Sequence, residues 1–133
     1  MFQEKSLKAD STIVAPATPA GEGGLAVIRL SGPRAEAILR AVFQPARLPC
    51  PFVSRHLYYG HIVGADGPVD EVMAVLMKAP ATFTREDVAE IHCHGGPAIV
   101  RRLLELCLDH GAVMARPGEF TQRAFLNGRI DLA

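Results

Sequence analysis

A chain of 133 residues, 49% of them hydrophobic, has room for one domain with a real core, and disorder over most of its length is excluded. Fourteen basic residues balance fourteen acidic ones, which argues against a free-standing nucleic-acid binder but leaves room for a part of a larger assembly that touches RNA elsewhere. Cys50, Cys93 and Cys107 show no C-x-x-C spacing, the N-terminus lacks the apolar core of a secretory signal, and no apolar run reaches membrane-spanning length, so a soluble cytoplasmic domain without a disulfide framework is expected.

Residues 1 to 10 read as a flexible polar lead-in, ahead of a domain spanning 11–133. Thr12 to Ala17 is β-branched and apolar, a short strand, and Thr18 to Gly24 is a glycine-rich loop. Leu25 to Leu30 reads as a second strand, with Ala26, Ile28 and Leu30 on one face and Leu25, Val27 and Arg29 on the other. Ser31-Gly-Pro33 opens a helix with Pro33 in its first position and a stripe of Ala37, Ile38, Ala41 and Val42, ending before Pro45. Residues 44 to 55, with three prolines, read as a loop.

His56 to Gly64 and Glu71 to Ala79 read as a hairpin around the Asp66-Gly67 turn signal. Asp87 to His94 is the next strand. Pro97 to His110 is the strongest helix, with Val100, Leu103, Leu104, Cys107 and Leu108 at helical spacing and Gly111 at its end. A short strand over Ala112–Ala115 and a helix over Pro117–Leu126 follow, closed by Asn127-Gly128. About six strands and three helices predict an α+β, two-layer domain with a mixed, mostly antiparallel sheet. The stop at Ile130-Asp-Leu-Ala133 carries no ending signal and suggests a piece of a longer protein.

Chemistry concentrates around Glu90, His92 and His94, which alternate and so share one face of a strand. Neighbours there lie about 6.6 Å apart and could share a metal ion, but the outer two, about 13 Å apart, could not, so no complete metal site is assigned. The favoured reading is that the imidazoles are satisfied by backbone carbonyls or tyrosines. His94-Gly-Gly-Pro97 is either a tight strand-to-helix turn or a place where an anionic ligand meets a helix N-terminus. Arg29 pairs with a carboxylate, for which Glu90 is a candidate, or both face a pocket, where a carboxylate accepts paired N–H groups and a guanidinium clamps an anion. Arg129, after Asn127-Gly128, reads as a solvated arginine beyond a helix cap. Gly21-Glu-Gly-Gly24 lacks the context of a dinucleotide fingerprint, the chain has no phosphate-loop Gly-Lys-Ser or Gly-Lys-Thr, and no nucleophile elbow or spaced catalytic triad is present.

Five blocks carry a resemblance: Thr12 to Gly24, Ile28-Arg-Leu-Ser-Gly32, Phe83-Thr-Arg-Glu-Asp-Val88, Glu90-Ile-His-Cys-His-Gly-Gly-Pro97, and Arg116 to Gly128. Together they resemble the N-terminal domain of the tRNA-modifying GTPases called MnmE or TrmE, from about Asp10 to the end. The resemblance implies a fold similar to a tetrahydrofolate-binding aminomethyltransferase module. It implies binding of a reduced folate (5-formyl- or methylene-tetrahydrofolate) and homodimerisation. The whole protein would act in the cytoplasm with a flavin-dependent MnmG-type partner on carbon five of the wobble uridine of tRNA, with no membrane involved. GTP, magnesium and potassium belong to the missing GTPase domain, so this stretch is not catalytic alone.

The resemblance assigns folate contacts to Arg29, Glu90 and Arg129, the last standing where the family often has lysine. A further basic contact belongs to the family's C-terminal region. Arg85 replaces a glycine of the family's usual Thr-Gly-Glu-Asp, so a different local turn is expected there. The competing readings are a dimerisation scaffold without folate binding and a small metal-dependent enzyme using His92 and His94.

Overall fold

The computed structural model describes residues 10–18 and 24–129. Residues 1–9, most of the glycine-rich loop and the last four residues lie outside them, so the flexible lead-in is not addressed apart from Asp10. In chain order the elements are β1 (Ile13–Pro16), β2 (Leu25–Ser31), α1 (Ala35–Val42), β3 (Phe43–Pro45), β4 (Leu57–Gly64), β5 (Gly67–Met77), β6 (Val88–His94), α2 (Pro97–Asp109), β7 (Val113–Met114) and α3 (Glu119–Leu126). The strands form a seven-stranded sheet in the order β3-β4-β5-β6-β2-β1-β7. Neighbours run antiparallel except β1 and β7, which are parallel. This is the α+β architecture with a mixed, mostly antiparallel sheet that the sequence predicts.

Alternation along the strands gives the sheet two different faces. Val14, Ala26, Ile28, Leu30, Ala74, Leu76, Ala89, Ile91 and Cys93 are buried on one face, in a single core with Ile38 and Leu39 of α1 and Leu103, Leu106 and Cys107 of α2. Burying these branched side chains supplies the main stabilisation, about 1.5–3 kcal/mol for each of the larger ones. The other face carries Leu25, Val27, Arg29, Met73, Val75, Glu90 and His92, and is only partly covered.

Two helix stripes differ from the sequence reading. In α1 the buried residues are Ala35, Ile38, Leu39 and Val42, whereas Ala37 and Ala41 are exposed. Pro33 sits in the preceding turn and helical hydrogen bonding begins later, so the i, i+3, i+4, i+7 stripe starts at Ala35. In α2 the inward set includes Ile99 and Leu106, and Leu108 is more exposed than its spacing suggests. β3 takes the end of the expected helix and the first residues of the expected loop. It is a three-residue edge strand ending in Pro45, a position where a missing N–H is tolerated. Its partner has glycine at position 60 because a Cβ there would lie 2.2 Å from the Gln44 carbonyl oxygen. β5 begins at Gly67, paired with Gly64, so the hairpin loop is shorter than residues 65–70 suggest.

Candidate functional site

Strand register brings the two central predicted residues together. Arg29 of β2 lies directly opposite Glu90 of the antiparallel β6. The Arg29 Nε donates to Glu90 Oε2 at 2.9 Å, and its Nη2 lies 2.8 Å from the same oxygen. His92, two residues along the same face, places Nε2 3.0 Å from Glu90 Oε1. Burial pushes the Glu90 carboxyl up, but hydrogen bonds from His92 and Arg29 and their charges outweigh it, holding the group below the ordinary carboxylate range. Glu90 is therefore an ionised acceptor at neutral pH.

Arg29 and Glu90 both line a cavity of about 460 Å³, together with Met77, Val88, Phe83 and Phe120 and with Thr82, Thr84 and Arg55. That volume falls in the range of small-molecule sites, about 300–1,000 Å³. Apolar walls around one carboxylate–guanidinium pair suit a flat ligand with a polar edge.

The wall formed by residues 78–87 is held by a second, buried network that the sequence reading did not single out. Arg123 of α3 donates through Nη1 to both Glu86 oxygens, at 3.1 and 3.0 Å, and through Nη2 to Ser11 Oγ at 2.7 Å. Ser31 Oγ donates to Glu86 Oε1 at 2.8 Å, and Asn127 Nδ2 donates to the Thr84 carbonyl at 2.8 Å. The cavity wall is thereby tied to β2 and α3. Glu86 and Arg123 stand 37 positions apart, and no local spacing signals their meeting.

Arg129 stands apart from Arg29 and Glu90. It lines an adjoining cavity of about 540 Å³ with Arg55, Arg85, Pro80, Ala81, Thr82 and Phe83, and its guanidinium lies 5.9 Å from the Phe83 ring centroid. The two cavities share Arg55, Thr82 and Phe83 as lining residues. Arg85 has φ of 63°, in the left-handed region that glycine occupies at least cost, so the turn keeps a glycine-type conformation despite its side chain.

The remaining motif residues have structural partners. His94 donates its backbone N–H to Asp70 Oδ2 at 2.8 Å, and its Nδ1 lies 2.8 Å from Asp70 Oδ1. Among the described residues no three His, Cys, Asp or Glu side chains group as metal ligands. Gly96, with φ of 119°, precedes α2, and a Cβ there would meet no atom within 4 Å. The positive φ by itself calls for glycine there, which fits the tight strand-to-helix turn and leaves the backbone open on that side. Burial, with the charge of Asp70, pushes the Cys93 thiol up to about 11, and burial pushes Cys107 up to about 12, so neither is a ready nucleophile.

The profile of the family described as GTP-binding protein TrmE N-terminus matches residues 12–129. The chain belongs to this family. It is 57% identical over 124 residues to the tRNA modification GTPase MnmE of Syntrophotalea carbinolica, covering 92% of the chain and 27% of that relative. The MnmE of Chloroflexus aurantiacus is 56% identical, over 93% of the chain and 27% of its own length, and that of Enterococcus faecalis 54%, over 92% and 27%. The chain thus spans 27% of the length of these curated relatives. Arg29, Glu90, Glu86, Arg123 and Arg129 all fall inside the matched stretch. Among the described residues no helix is long and apolar enough to cross a membrane.

Proposed function

We propose that this chain is the reduced-folate-binding and homodimer-forming module of a tRNA-modifying GTPase. The observation that carries the reading is the meeting of Arg29 and Glu90 on one apolar-walled cavity within the family stretch. A carboxylate has about four acceptor sites. Arg29 and His92 engage both Glu90 oxygens yet leave acceptor capacity, which suits the N–H edge of a pteridine. Arg29 would meet carbonyl or carboxylate groups, and Phe83 and Phe120 supply flat apolar walls.

When bound, a reduced folate would supply a one-carbon unit for carbon five of the wobble uridine, in concert with a flavin-dependent MnmG-type partner. GTP turnover belongs to a separate domain. Dimer formation is supported by apolar surface on the cavity side of the sheet, where Leu25 is 73% exposed and Leu57 and Tyr59 are also open.

Calorimetric titration of the chain with 5-formyltetrahydrofolate tests this proposal. Saturable binding that Glu90→Gln weakens is expected. An absence of binding, or unchanged affinity in the variant, would favour a dimerisation scaffold instead.

A further inference from the structure

We infer that the cavity bounded by Arg55, Arg85 and Arg129 is a subsite for the γ-linked glutamyl tail of the bound ligand, and that it favours ligands carrying several glutamates. This rests on the folate reading of the neighbouring cavity. Three arginines line one concavity, and no acidic residue is among its lining residues. Among the described residues Arg55, Arg85 and Arg129 have no carboxylate oxygen within 4 Å; Arg34, Arg47 and Arg101 share that property, but only these three line a common concavity. Three cations lining one concavity with no carboxylate within 4 Å among the described residues repel one another, and an anion bound among them relieves that repulsion.

Two of the three are already oriented. Arg55 donates through Nη2 to the Ala81 carbonyl, and the Arg129 guanidinium lies over Phe83. Their remaining N–H groups are available to a ligand.

Contiguity decides the class of anion. Arg55, Thr82 and Phe83 belong to both cavities, so a ligand with its ring against Glu90 has the arginines next along its length. A chain of carboxylates leaving that ring matches this arrangement. A monoglutamate brings two carboxylates, and each further γ-linked residue adds one more. The neutral net charge of the chain gives no independent reason to place a nucleic-acid backbone there.

The test compares 5-formyltetrahydrofolate as monoglutamate and as triglutamate, titrated calorimetrically at low salt into the chain and into Arg85→Gly. Glycine suits the left-handed backbone at position 85, so this variant removes one guanidinium without straining the turn. The triglutamate should bind about tenfold more tightly than the monoglutamate, and added salt should erode the gain. In Arg85→Gly the ratio should fall to about threefold.

Equal affinities for the two ligands in the unaltered chain would overturn the subsite and leave the folate reading standing. Failure of both ligands to bind would overturn the two together. Binding of a tRNA anticodon stem-loop that Arg85→Gly abolishes, with no triglutamate gain, would assign the arginines to a nucleic-acid backbone and overturn the subsite.

Discussion

Two arginine–carboxylate pairs hold opposite offices in this fold. The Arg29–Glu90 side chains are 39% and 15% exposed and line a cavity, while those of Arg123–Glu86 are 2% and 8% exposed and lie behind its wall. The chemistry is the same, but the surroundings differ. A pair open to a cavity keeps acceptor and donor capacity for a ligand and is screened by water, so its own contribution to stability is small, about 0–1 kcal/mol. A pair sealed between β2, α3 and the 78–87 segment has its charges desolvated, and removing one partner strands the other. The first pair suits recognition, and the second holds the recognition site in shape.

Breaking the buried pair should have the largest effect. Arg123→Met leaves Glu86 buried without its main counter-charge, and the chain should lose about 3–5 kcal/mol of stability in urea unfolding. A loss under about 1 kcal/mol would show that the network does not hold the wall. Glu90→Gln should cost about 1–3 kcal/mol of folate affinity, by calorimetry, while shifting stability by no more than about 1 kcal/mol. A variant that unfolds instead would make the two pairs equivalent and erase the contrast.

Acid sharpens the comparison. The Glu90 carboxyl is depressed in the folded state, so its stabilising contribution is fully present above the ordinary carboxylate pKa, about 4.3, and is lost as pH falls through the lower folded value. The stability gap between the unaltered chain and Glu90→Gln should therefore hold from neutral pH down to the ordinary carboxylate range and shrink as pH falls below it. A gap that widens in acid would reverse the assigned sign. The smallest effect belongs to Arg85→Gly. Relief of the left-handed strain and the added freedom of the unfolded chain nearly cancel, leaving stability within about 0.5 kcal/mol by thermal unfolding.

Much of the site was legible before any coordinates. Strand alternation placed Arg29 on the face opposite Ile28, and placed Glu90 with His92, because side chains on a strand repeat every second residue. That the two strands are neighbours, in a register that sets Arg29 against Glu90, is a non-local fact. The helix stripes were displaced where the turn before α1 delayed the helix, since propensity alone does not fix where hydrogen bonding begins. Arg123 gave no local sign of its role. A single arginine on a short helix looks solvent-facing until its partner, distant in sequence, is folded against it.

By itself the sequence determined the fold class, the faces of the strands and the family, because alternation, turn chemistry and long ordered motif blocks are written locally along the chain. Only the tertiary structure decided which charges meet. It joined Arg29 to Glu90, sealed Arg123 against Glu86, and set Arg129 with Arg55 and Arg85 along a cavity adjoining that pair. The reason is physical: the strength of an ion pair depends on distance and on surrounding water, and both are set by packing between segments far apart in the chain.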